Sequence, residues 1–123
     1  MEIGLSYTST TVVNNSNTAA YLGSGDMEVF ATPAMVALME NAAMNAVAPH
    51  LVDDQTTVGT QISTNHIKAS ALGATITATA TLTAVEGRVL TFAVTAHDGD
   101  ALIGEGTHTR VIVSKERFLA KLK

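Results

Sequence analysis

The sequence predicts an α+β fold, an antiparallel β-sheet wrapped around one long central helix. Two features carry that expectation. The first is the stretch VFATPAMVALMENAAMNAV, residues 29–47, which is apolar nearly all round and has no Lys or Arg between Pro33 and Ala48. The second is a change to period two after Pro49, where runs such as TITATATLTAV alternate Thr with apolar residues, as a strand with one packed and one wet face does. With 123 residues, 46% of them apolar, the chain has the size of one ordinary domain and can bury a core, so one domain over residues 1–123 is expected.

Along the chain, Ile3 to Val13 mixes Thr, Tyr and Val and suits a first strand, which NNSN then breaks. Residues 18–27, TAAYLGSGDM, hold two glycines and small polar residues and are expected to form a loop leading to the helix. The helix is expected from Pro33 to Ala48, with Thr32 as its N-cap, Pro33 at the first position and Pro49 as its stop. Its length would be about 24 Å. Residues 56–67, TTVGTQISTNHI, then set Val58, Thr60, Ile62, Thr64 and His66 on one face of a strand and Gly59, Gln61, Ser63 and Asn65 on the other. Glu86-Gly87 is expected to turn the strand 75–85 into RVLTFAVTAH, and DGD to turn again into ALIGEGTHTRVIV. A helix this apolar is expected to be enclosed, and pairing of two such units would cover what one sheet leaves open.

Composition removes several function classes. The net charge of −4 disfavours a phosphate-backbone partner, so no nucleic acid is expected. The C-terminal SKERFLAKLK is locally basic, which suits either a solvated helix end or a contact with a phosphate-bearing small molecule. No cysteine is present, which excludes disulfides, thiolate zinc sites and a thiol nucleophile. The start MEIGLSYTST has no basic segment followed by an apolar run, and no apolar run is long enough to span a bilayer. No signal peptide, no membrane association and a cytoplasmic location are therefore expected. His50, His97 and His108 show no metal-ligand spacing, and no GxSxG elbow occurs. The GEG of residues 104–106 precedes no helix and suits a bulge or close approach in a strand better than a dinucleotide loop. No metal or other cofactor is expected.

Glu40 stands out because it sits mid-helix among apolar residues. An unpaired carboxylate there would cost several kcal/mol, so Glu40 must be paired, protonated or facing a cavity. A rim glutamate pinned by a hydrogen bond and a catalytic base or nucleophile both satisfy that condition. His66, on the strand face with Ile62 and Thr64, is either a satisfied structural histidine or a proton partner for the glutamate. Thr32 is a cap beside free amides that can stabilise an oxyanion. Eight helical residues separate Thr32 from Glu40 by about 12 Å, so both cannot touch one carbonyl from a single rigid helix. Either the chain unwinds near Thr32, or one site draws the two groups from different subunits.

The runs FATPAMVALME, VGTQISTNHIKAS, VEGRVLTFAVTAHDG and IGEGTHTRVIV resemble the hotdog-fold thioesterases, and most closely the fluoroacetyl-CoA thioesterase group. The likeness extends from about Glu28 to Lys123 and keeps the spacing of Thr, eight residues to Glu and twenty-six more to His. It implies a hotdog fold, a homodimer with interfacial sites or a tetramer of such dimers, and hydrolysis of an acyl-CoA thioester to free acid and CoA. Position by position, Thr32, Glu40 and His66 resemble the group's catalytic set, and Gly59 its glycine beside the acyl pocket. Glu40 would attack the thioester or activate water, His66 would handle protons, and Thr32 would orient the substrate. The group carries lid phenylalanines just before the helix, whereas LGSGDM, residues 22–27, has no aromatic residue, so a different or broader short acyl group is expected. An acyl-CoA hydratase or dehydratase, and a non-catalytic acyl-CoA-binding protein, are the alternatives that share the fold.

Overall fold

A computed structural model describes residues 1–123. Five strands, β1 (Ser6–Val12), β2 (Gln55–Thr64), β3 (Thr75–Glu86), β4 (Val89–Asp98) and β5 (Ala101–Ser114), form one antiparallel sheet in the order β1-β3-β4-β5-β2. Three α-helices complete the chain, α1 (Ala19–Leu22), α2 (Thr32–Val47) and α3 (Lys115–Ala120), and α2 runs on into a 3₁₀ turn at Ala48–His50 that holds Pro49. This is the hotdog architecture, with α2 lying across the sheet and packing chiefly on β3 and β1.

Alternation determines the packed face. Ile76, Ala78, Ala80 and Leu82 of β3 and Leu90, Phe92, Val94 and Ala96 of β4 point into one core, while Thr75, Thr77, Thr79 and Thr81 lie on the other side. Met35, Met39, Ala42, Ala43, Ala46 and Val47 of α2 fill the same core. Small alanines on both the helix and the strands let α2 settle close to the sheet. Both hairpins close over two residues, Gly87-Arg88 and Gly99-Asp100, with φ of +62° and +59° at the glycines, a region that favours glycine. Turn one thus sits one residue beyond the expected Glu86-Gly87.

Four further expectations are corrected. The segment before α2 is not all loop, because Thr18 caps α1 by accepting from the Tyr21 N–H and Gly23 closes it in the left-handed region. The N-cap of α2 is Ala31, with no side-chain cap, and Thr32 is already helical with its hydroxyl directed elsewhere. One face of the helix packs on the sheet, while Ala37, Asn41 and Met44 are exposed in the single chain, on the part that one sheet leaves open. Finally, β2 bulges at Thr60, which faces no partner between the pairs Gly59–Arg110 and Gln61–Thr109. The bulge breaks the expected alternation, so that Gly59 borders the interior on the same side as the partly buried Ile62. Nor does His66 lie on the strand, since β2 stops at Thr64.

Gly104 and Gly106 mark a close approach. A side chain on Gly104 would meet the Asn65 carbonyl at 2.6 Å and Met35 Sδ at 2.7 Å, and one on Gly106 would overlap the Ser63 carbonyl. These glycines draw the end of β2 and the segment after it tightly onto β5.

Candidate active site

Two clusters of polar side chains form around α2. At its N-terminus the Thr32 hydroxyl lies 2.7 Å from His66 Nδ1. His66 is held there because the chain beyond β2 stays tied to β5: the Asn65 N–H donates to the Glu105 carbonyl, the Ile67 N–H to that of Ile103, and Asn65 Oδ1 accepts from the Glu105 N–H. Phe30 and the imidazole pack in a T-shaped pair, with ring centres 6.5 Å apart and planes at 79°. His66 Nε2 is buried and has no hydrogen-bond partner within the chain. Burial pushes the His66 pKa below its ordinary value, so the ring favours its neutral form. Thr32 and His66 line an open cavity of about 300 Å³ together with Ser24, Phe30 and Lys68.

The second cluster surrounds Glu40, two turns further along α2. Its Oε2 lies 3.9 Å from Arg110 Nη1, and its side chain is 41% exposed in the single chain. Arg110 is buried and closely held: Nε donates to the Thr57 hydroxyl at 2.8 Å, Nη2 to the Thr57 carbonyl at 2.9 Å, and Nη1 lies 3.3 Å from His108 Nε2. Burial pulls the Arg110 pKa down from its ordinary value, opposed by the charge of Glu40. Gly59 leaves this carboxylate room, since a Cβ there would stand 2.9 Å from Glu40 Oε2, 3.2 Å from His108 Cε1 and 3.4 Å from Arg110 Nη1.

The structure therefore brings Thr32 to His66 and Glu40 to Gly59, and no hydrogen bond or ion pair joins the two clusters within one chain. Within one chain His66 therefore stands with Thr32 and not with Glu40. Nor does α2 unwind near Thr32. Arg110 and His108 are the residues that sequence reasoning missed. Their signal was present in THTR, residues 107–110, where two basic side chains alternate with Thr and so share one strand face.

Residues 13–116 match the family described as fluoroacetyl-CoA-specific thioesterase. The chain belongs to this family. Within it, a fluoroacetyl-CoA thioesterase from Streptantibioticus cattleyicolor is 48% identical over 96 residues, which are 78% of this chain and 69% of that protein. A crystal structure of the fluoroacetyl-CoA thioesterase FlK superposes with a TM-score of 0.92 at 41% identity, covering 99% of this chain and 95% of the other. A thioesterase superfamily member from Thermus thermophilus superposes at 0.90 with 26% identity, over 98% and 90% of the two chains. Family membership makes the chain a thioester hydrolase of the hotdog fold. No helix is long and apolar enough to cross a membrane.

Proposed function

We propose that this protein hydrolyses a small acyl-CoA thioester to the free acid and CoA, with Glu40, His66 and Thr32 as the reacting and orienting groups and Gly59 lining the acyl site. The observation that carries this reading is the Glu40 carboxylate, placed above a glycine that leaves it space and opposite a buried, closely held guanidinium. A carboxylate set this way has an open approach on one side and a fixed positive charge on the other, which suits attack on an electrophilic carbonyl. Either a carboxylate oxygen adds to the thioester carbonyl to give an acyl anhydride that water then opens, or it takes a proton from the water that adds. Both routes consume one water and expel CoA as a thiolate. His66, with Nε2 unpartnered and a neutral ring favoured, suits taking a proton from the water that adds and passing it to the departing thiolate.

The chemistry needs both clusters on one substrate, and the unbroken α2 keeps them about 12 Å apart. We infer that the protein is a homodimer in which Glu40 of one subunit meets Thr32 and His66 of its copy. The open flank of α2 and the free edge of β2, which pairs only with β5, lie where a second copy would cover them. Whether two such dimers join as a tetramer does not alter this site. The cytoplasm is the proposed location.

The acyl group is proposed to be short and not restricted to the fluorinated one, because the segment from Leu22 to Met27 offers Ser24 and no aromatic ring to the cavity. Release of free thiol from acetyl-, fluoroacetyl-, medium-chain and aromatic acyl-CoA tests the whole reading. Turnover of small esters that falls about 100-fold or more in Glu40→Gln is the expected result. Strong preference for fluoroacetyl-CoA would overturn the proposed breadth, and no thiol release would favour a hydratase or binding protein.

A further inference from the structure

His108 takes no part in the reaction proposed above, yet it is 1% exposed and both of its ring nitrogens are engaged. Nδ1 lies 2.8 Å from the Gln61 carbonyl, beside the bulge of β2. A carbonyl only accepts, so Nδ1 carries the proton. In the neutral ring Nε2 is then an acceptor, and it faces Arg110 Nη1, which only donates, at 3.3 Å. Both contacts are satisfied in one state alone, the neutral ring with its proton on Nδ1. Phe92 flanks the ring, with centres 6.2 Å apart.

Thr57 holds Nε and Nη2, one edge of the planar guanidinium of Arg110, so the freedom left to Nη1, the nitrogen nearest Glu40, is a tilt about that edge. We propose that His108 is a positioning residue for the thioesterase: it is the acceptor that aims Arg110 Nη1 at the Glu40 carboxylate. Protonation of His108 would set an Nε2–H against the guanidinium N–H groups and remove this tie. The charged groups that act on His108 are Arg110 of its own strand and Glu40 of α2. Burial, as the largest influence, and the Arg110 charge keep the ring neutral, against the Gln61 carbonyl and Glu40. The site therefore carries its own acid limit, separate from that of His66.

The proposal rests on Glu40 being the reacting carboxylate, so its test includes Glu40→Gln. Thiol release by the natural protein, His108→Phe and His108→Gln is followed from pH 5 to 8.5, separating kcat from KM. His108→Phe, which keeps the ring volume and loses both bonds, is expected to lower kcat about tenfold or more with KM little changed. His108→Gln, an amide that can donate and accept but does not titrate, should keep most of the kcat at pH 8 and shift the acid limb to lower pH. An unchanged kcat in a folded His108→Phe, or the natural acid limb retained in His108→Gln, overturns the positioning role. Where His108→Phe does not fold, the pH profile of His108→Gln decides alone. A fully active Glu40→Gln overturns the Glu40 reading, whereas an inactive one beside an unaffected His108→Phe overturns only the role of His108.

Discussion

Gly59 lies directly under the carboxylate of Glu40, so close that a methyl group on it would stand 2.9 Å from Oε2. The atom in the way is the far end of a flexible side chain, and the next nearest, His108 Cε1 at 3.2 Å, belongs to a ring held at both nitrogens. Glu40 must therefore be the group that yields most.

Gly59→Ala is accordingly expected to be an activity variant and not a folding variant. Displacing the carboxylate by a few tenths of an ångström should lower kcat for a small acyl-CoA by about tenfold or more, because reacting groups tolerate little misplacement. The thermal midpoint should stay within a few degrees, since no backbone has to move and the His108 ring has to give by only a few tenths of an ångström. A large loss of stability with full specific activity in the folded fraction would contradict the placement of Gly59.

Thr32 separates structure from chemistry in the same way. Because Ala31 occupies the N-cap position and the Thr32 hydroxyl turns to His66, Thr32→Val removes no helix cap. Its stability cost should remain below about 1 kcal/mol, the size of one exposed hydrogen bond. Activity should fall all the same, as His66 loses the partner at Nδ1, and Thr32→Ser should restore most of it. Equal activity in Thr32→Val and the natural protein would leave the Thr32–His66 bond a structural detail.

How far the sequence shows this site follows from the range of each signal. Period-two alternation over Thr75–Val85 and the apolar run before Pro49 are local patterns, and β3, β4 and α2 form where those patterns place them. Thr32, Glu40, His66 and Gly59 were legible through their resemblance to a family and through the oddity of one carboxylate on an apolar helix. Their grouping was not. The bulge at Thr60 shifts the second half of β2 by one residue, and pure alternation puts Gly59 opposite Ile62 when both border the interior. The partner of Glu40 was hidden for a different reason: Arg110 lies 70 residues away in sequence, and β5 brings it back under α2 only once the whole sheet has formed.

Acid should destabilise the fold before it denatures it outright. Burial lowers the pKa values of both His66 and His108 from 6.5, the value that applies in the unfolded chain. As pH falls past that point the unfolded state takes up protons that the folded state resists, so it holds more of them, and the stability of the native state declines with falling pH until the folded-state values are reached. The histidine contribution is thus fully present above about pH 7 and is lost on the acid side. Asp54 adds to this at lower pH. Its carboxylate accepts from the Glu116 N–H and the Ser114 hydroxyl, contacts that hold its pKa below 3.8 and tie the start of α3 to the loop before β2. Thermal or urea midpoints at fixed protein concentration, taken from pH 8 to pH 5, should begin to fall near pH 6.5, and the fall should be shallower in His108→Gln, which has one fewer buried group to protonate. A midpoint that is flat or rises across that range would mean that the two imidazoles accept protons as readily in the folded protein as in the unfolded chain.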